Sequence, residues 1–228
     1  MIEFVFLDLD DTLLDFHRAE TEAIRDTFLS FSLPADDEAI ARYKAINRRT
    51  WEAMERGELT RDEVLTRRFD VLFDELSVSI SSKEVQAFYE RRLSVGHYFM
   101  PGATELLDEL YGKYKLYIAT NGTPVVQEGR MKSAGIGKYF DEIFISAKIG
   151  KNKPDPGFFD YAFERIPNFS KSRAIIVGDS LTSDILGGIN AGIKTCLYNP
   201  KGQAHGTDVA ADYEIKELSE LPGLLAEI

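Results

Sequence analysis

A single cysteine, Cys196, stands in a chain of 228 residues, so no intramolecular disulfide can form and a disulfide-stapled fold is excluded. It lies in the apolar run Thr195-Cys196-Leu197-Tyr198, the setting of a small buried residue rather than of a nucleophilic thiol. Long apolar runs are missing as well. Nothing approaches the roughly 18 consecutive residues of a membrane helix, and neither a basic leader nor a small-residue cleavage site accompanies the opening Ile2-Glu3-Phe4-Val5-Phe6-Leu7, so a cytoplasmic protein with no membrane partner is expected. Positive charge is scarce: 27 Lys and Arg face 38 Asp and Glu, a formal net charge of −11. Such a field repels polyanions and makes nucleic-acid polymers poor partners. It leaves a small phosphorylated metabolite open, because one bound cation reverses the field inside a pocket. Internal repeats and low-complexity segments are absent too.

What is present suffices for a core, with 44% hydrophobic and 29% charged residues. Glu3 to Asp8 is a short apolar run ending abruptly in acids, as a buried parallel strand should. Lys115 to Thr120, Ala174 to Gly178 and Ile193 to Tyr198 repeat the pattern, and Glu142 to Ser146 is a weaker fifth run. Helix-period stretches lie between them, over Ala103–Leu110, Val125–Ala134, Gly157–Ile166 and Ser183–Ala191. This alternation predicts an α/β fold, a doubly wound parallel sheet covered on both faces. Residues 16–98 differ. Leu65, Phe69, Leu72, Phe73 and Leu76 form one helical stripe, and Val85, Phe88, Tyr89 and Leu93 another. Thr60 with Glu63, and Ser81 with Glu84, have capping-box spacing at the two helix starts. The expected organisation is an α/β core of residues 1–15 and 99–228, interrupted by an all-α module of residues 16–98, with Pro101-Gly102 marking the return.

Four constellations fall where predicted strands end, the edge at which open α/β sheets bind ligands. They are Asp8-Leu9-Asp10-Asp11-Thr12, Thr120-Asn121-Gly122, Lys153-Pro154, and Gly178-Asp179-Ser180 with Asp184. Carboxylates as close as Asp8 and Asp10 require a cation or a shared proton. Mg²⁺ suits them, being hard and oxygen-seeking while keeping room for a phosphate oxygen; Asp179 and Asp184 complete the cluster. Asp11 and Asp155 read as turn or helix-cap acids. Thr120 alone would read as an N-cap and Lys153 alone as solvated surface. Together the four segments offer a nucleophile, an acid/base, a metal cluster and two phosphate anchors.

In this order the motifs resemble those of the haloacid dehalogenase superfamily. D-x-D-x-T appears as Asp8, Asp10 and Thr12, the second motif as Thr120, the third as Lys153, and G-D-x-x-x-x-D as Asp179 and Asp184, with a helical cap of the first type inserted between the first two. The resemblance implies a phosphatase. Asp8 would be the nucleophile that forms an aspartyl phosphate, and Asp10 the acid and then the base. Phosphate contacts would come from Asp8, Asp10, Thr120, Asn121 and Lys153. Mg²⁺ would be held by Asp8, the Asp10 carbonyl and Asp179, with Asp184 acting through water or Lys153. Within the superfamily, Ala45-Ile46-Asn47 with Trp51, Gly57-Glu58-Leu59-Thr60, Arg67-Arg68-Phe69 and the stretch Ser183–Gly192 resemble the bacterial house-cleaning pyrimidine 5′-nucleotidases. That implies a nucleoside 5′-monophosphate substrate, contacts to it from Asn47, Trp51 and Arg68, and a monomer or weak homodimer; read by themselves, Trp51 equally suits packing inside the helical module, and Asn47 and Arg68 a solvated helix face. The alternatives are a sugar-phosphate or phosphoglycolate phosphatase, a β-phosphoglucomutase-like mutase, and a non-enzymatic scaffold that kept the fold. His17 is expected to be structural.

Overall fold

The computed structural model describes residues 1–203 and 208–228. Strand β1 (Phe4–Leu7) is buried throughout, and its alternation sends Phe4 and Phe6 to one face and Val5 and Leu7 to the other. A strand apolar on both faces needs cover on both. The remaining strands are β2 (Lys115–Thr120), β3 (Glu142–Ile145), β4 (Ala174–Gly178), β5 (Lys194–Tyr198) and β6 (Tyr213–Ile215). They form one parallel sheet in the order β3-β2-β1-β4-β5-β6. The order reverses beside β1, so the ends of β1 and β4 open a crevice at the switch point.

Helices α1 (Phe16–Ser30), α2 (Asp37–Glu55), α3 (Arg61–Leu76) and α4 (Ser82–Leu93) lie between β1 and β2 in sequence. They bury a cluster of their own around Phe28, Tyr43, Phe69, Leu72 and Tyr89. Thr60 and Glu63 form the expected reciprocal cap of α3. At Ser81 the hydroxyl accepts the Glu84 N–H at 3.4 Å, one half of the pair. The connecting segments lie side by side: Met100 donates its N–H to the Leu13 carbonyl at 2.9 Å and Asp15 to that of Tyr98 at 2.7 Å.

On the Val5/Leu7 face, α5 (Ala103–Leu110), α6 (Pro124–Ala134) and the final helix, α10 (Leu221–Glu227), supply Leu106, Leu107, Met131, Leu221 and Leu225. Between α6 and α10 come the short α7 (Ser146–Ile149), then α8 (Pro156–Phe163) and α9 (Leu186–Ala191). These last two cover the opposite face with Phe158, Phe159, Ala162 and Ala191. Cys196 is fully buried in β5, and burial, with the charges of Glu220 and Glu214, pushes its thiol up to about 12.

Two helical expectations are corrected. The helix expected to reach Ile166 stops at Phe163. The one expected over Ser183–Ala191 begins instead as a π-helical turn, Leu181–Ile185. The Ser180 carbonyl accepts the N–H groups of both Asp184 and Ile185 there, which widens the turn. Strand β6 and helix α10 lie outside the strands and helices expected from the sequence. No helix among the described residues is long and apolar enough to cross a membrane.

Candidate active site

Asp8 follows β1 directly and is 6% exposed. Its N–H is fixed on the Val177 carbonyl of β4 at 2.9 Å, which aims the side chain out of the sheet edge. Lys153, from the loop before α8, is 1% exposed, and its ammonium has three protons to place. They go to Asp8 Oδ1 at 2.8 Å, to the Ala119 carbonyl at 2.5 Å and to Asp184 Oδ1. Asp184 reaches this point because the π-turn carries it back over the end of β4. Its other oxygen accepts the Ser180 N–H at 3.1 Å, and its carboxyl lies where a side chain on Gly178 would sit, 2.3 Å from an added Cβ. The glycine is therefore required by the acid above it.

Single oxygens of Asp8, Asp179 and Asp184 lie within 4.8 Å of one another. Thr12, fully buried, donates toward Asp8 Oδ2 at 3.4 Å and Asp179 Oδ1 at 3.5 Å. Burial pushes the Asp8 carboxyl up to about 8; Lys153 opposes the rise, while the charges of Asp184 and Asp10 add to it. Asp179 opens to the cleft, yet loss of surrounding solvent and then the charges of Asp8, Asp184 and Asp11 also raise it well above the usual carboxylate range. Burial works against the Lys153 ammonium, but Asp184 and Asp8 outweigh it and hold the group above its ordinary value. Three carboxylates against one ammonium leave a formal charge of −2 at the end of β1 and β4, which one divalent cation matches in charge and in its preference for oxygen. The residues fit Mg²⁺.

Asp10 is held differently. Gln127 Nε2 donates to its Oδ2 at 2.8 Å and to Thr120 Oγ1 at 2.6 Å, and the fully buried Arg130 pairs with its Oδ1 while donating Nε to the Gly96 carbonyl at 2.9 Å. Gln127 and Arg130 lie one turn apart on α6, and neither was singled out in the sequence. A signal for them exists: Val126, Gln127, Arg130, Met131 and Ala134 share one helical stripe, which places two polar residues on a buried face. Gly122 leaves Gln127 its room, an added Cβ standing 2.3 Å from the Gln127 side chain.

Thr120 ends β2 at 1% exposure, beside the same cleft. Asn121, expected as a phosphate contact, spends both side-chain groups on the main chain of Lys153, donating Nδ2 to its carbonyl at 2.8 Å and accepting its N–H at 2.9 Å. Its side chain therefore positions Lys153, and the backbone N–H is what it can offer an anion. Asp11 adopts a left-handed turn (φ 59°) and accepts the N–H groups of Phe16 and His17, and His17 Nε2 lies 3.6 Å from its other oxygen. Asp155 caps α8 through the Gly157 N–H. Both are the turn and cap acids expected of them.

A cavity of about 270 Å³ joins this edge to the helical module. Asp8, Asp10, Thr120, Lys153, Asp179 and Asp184 line one end, and Asn47, Trp51, Met54, Leu65, Arg68 and Glu90 the other. Asn47 and Arg68 are not on a solvated helix face. Both are buried, with Asn47 donating to Glu20 Oε1 and Arg68 to Asn47 Oδ1 and Gln86 Oε1, each at 2.7 Å. Trp51 is half-buried and forms part of the cavity wall instead of the module's apolar core.

Residues 2–192 match the family model of the haloacid dehalogenase-like hydrolases. The HAD-hydrolase YfnB of Bacillus subtilis is 40% identical over 97% of this chain and 94% of that protein. Its crystal structure, bound to magnesium and described as revealing interdomain movement, superposes with a TM-score of 0.93 over 98% of both chains. Pyrimidine 5′-nucleotidase PynA of Streptococcus pneumoniae is 35% identical over 96% of this chain and 93% of its own length. Pyrimidine 5′-nucleotidase YjjG of Escherichia coli is 33% identical over 99% and 98%. With a buried carboxylate, its lysine and an acidic cluster at one sheet edge, and with matches that run along nearly the whole sequence, this chain belongs to the haloacid dehalogenase-like hydrolases.

Proposed function

We propose that this hydrolase is a Mg²⁺-dependent phosphatase of small phosphate monoesters, acting on nucleoside 5′-monophosphates with a pyrimidine base. The observation that carries the reading is the −2 cluster itself: Asp8 faces the cavity beside Lys153, with Asp179 and Asp184 close enough to share one cation. Bound Mg²⁺ would supply positive charge to the phosphate oxygens and keep Asp8 ionised; Asp8 and Asp179 would hold it, with Asp184 behind them on Lys153.

An ionised Asp8 oxygen attacks phosphorus, the P–O bond to the leaving group breaks, and the leaving oxygen takes the proton of Asp10. Water then attacks the aspartyl phosphate, Asp10 takes up the water's proton, and phosphate leaves with Asp8 restored. The oxygen is expelled as an alkoxide unless an acid meets it, so Asp10 favours phosphate esters over carbon–halogen bonds as substrates. Thr120 Oγ1 and Lys153 neutralise the transferring group, and positioning with electrostatics is most of what phosphoryl transfer asks of a protein.

The cavity lies near the low end of small-ligand pockets, which run to roughly 300–1,000 Å³. That is the scale of a small metabolite. Its far end joins an aromatic wall, Trp51, to the buried Asn47–Arg68 pair, the combination of a stacking face and fixed hydrogen-bonding groups that a flat heterocycle demands. The nucleotidase relatives support the same choice. Phosphate release from a panel of pyrimidine and purine monophosphates, sugar phosphates and phosphoglycolate, with MgCl₂ and with a chelator, tests it. Preference for pyrimidine monophosphates and silence under chelation are expected. A metal-independent signal, or preference for a sugar phosphate, refutes the corresponding half.

A further inference from the structure

Arg61 breaks the rules that govern the rest of α3. It occupies the first helical position, where the helix dipole disfavours a cation. It is half-buried, and loss of solvent, opposed only by the charge of Asp62 among the described residues, lowers its guanidinium from the ordinary value. Its hydrogen-bond partners are four neutral oxygens. Nη1 donates to the carbonyls of Asn121 at 2.9 Å and Gly122 at 3.1 Å. Nη2 donates to Ser146 Oγ at 2.6 Å and Asn152 Oδ1 at 2.5 Å. All four belong to the sheet edge: the turn after β2, the residue after β3 and the loop before Lys153. One side chain of the helical module thus grips the turn after β2, the start of α7 and the loop before Lys153. The guanidinium also lies 5.5 Å from the ring centroid of Trp51, the chain's only tryptophan.

A charge placed at such cost and satisfied only by neutral groups suits a contact that must be firm when made and able to open, since no ion pair has to be broken. Asn121 carries the contact inward, its side chain gripping both main-chain groups of Lys153. We propose that Arg61 is a positioning residue that sets the phosphate anchors: seated on the turn after Thr120, it fixes Asn121 and through it Lys153, so that the anchors take their working geometry when the helical module is docked. This rests on the phosphatase reading above. Arg61 touches neither the reacting atoms nor the metal ligands.

The test compares wild type with Arg61→Met, Arg61→Lys and Asn152→Ala in MgCl₂, by steady-state hydrolysis of p-nitrophenyl phosphate, thermal melting and Trp51 fluorescence during titration with inorganic phosphate. Arg61→Met should lower kcat about 10- to 100-fold, the equivalent of about one charged hydrogen bond, with a smaller change in KM and a largely preserved melt. Arg61→Lys should recover part of the loss. Phosphate should shift the Trp51 emission of wild type and not of Arg61→Met. Asn152→Ala removes a single acceptor without touching α3, so it keeps the question answerable if Arg61→Met folds poorly. It should lower kcat by a smaller factor, and combining it with Arg61→Met should add little. Wild-type kcat in Arg61→Met, or losses from the two sites that simply multiply, overturns the inference. A wild type that hydrolyses no phosphate ester with Mg²⁺ overturns the phosphatase reading instead.

Discussion

Replacing Lys153 by methionine keeps the length of the side chain and removes the one cation among the three clustered acids. The lysine is 1% exposed and bonds two carboxylates and a carbonyl. Charge-assisted bonds contribute about 1.5–3 kcal/mol each, and stranding one side of a buried ion pair costs about 3–5 kcal/mol. A loss of about 4 kcal/mol is therefore expected where Asp8 must ionise; at about 2–4 °C per kcal/mol for a chain of this size, melting should fall by about 8–16 °C. The pH dependence has a definite sign. The Asp8 carboxyl stands at about 8 against an ordinary 3.8. A raised carboxyl contributes stability that is fully present below 3.8 and lost as pH climbs through about 8. Losing Lys153, which opposes that rise, raises the carboxyl further. The deficit should then be small near about pH 5, where both proteins retain the proton, and larger near about pH 9, where the wild type has begun to release it and the variant has not. Calorimetric melts of both proteins in chelator at the two pH values measure it. Equal deficits, or a larger one in acid, would refute the account of the lysine as counter-charge to Asp8. Turnover should fall about 10²- to 10³-fold, the loss seen when one oriented donor to a transition state is removed.

Asp8→Asn should abolish phosphate release while leaving the melting curve near that of wild type, and residual turnover close to normal would dismiss Asp8 as nucleophile. MgCl₂ should raise the melting temperature more near about pH 8 than near about pH 5, because in acid the cation must expel the proton of Asp8; the reverse order would count against a site built on that carboxylate. Arg130→Met leaves Gln127 alone to hold Asp10. Its kcat should drop more on a nucleoside monophosphate than on p-nitrophenyl phosphate, whose leaving group needs little protonation, and equal drops would separate Arg130 from the acid step.

The strands were legible because buried parallel strands are continuous apolar runs: the limits read for Lys115–Thr120 and Ala174–Gly178 are those of β2 and β4. Three of the four polar clusters were legible for the same reason, since each interrupts such a run at its end, whereas Lys153 follows the short α7; the structure gathers all four at one edge. What escaped reading depends on the third dimension. Nothing in the sequence pairs Arg130 with Asp10, or marks Asn121 as a clamp on Lys153 across 32 residues. The π-turn escaped as well, because it arises from one carbonyl shared by two N–H groups, and sequence periodicity averages over such a detail. β6 has three residues, too few for any period to show.

The paired connectors have a mechanical consequence. A body hung from one strand can swivel in any direction, whereas one hung from two strands cross-linked by hydrogen bonds, as Leu13 is to Met100 and Asp15 to Tyr98, bends most easily about the line that joins them. Any displacement of the helical module would be confined to one arc. The guanidinium of Arg61 would then return to the same carbonyls of Asn121 and Gly122.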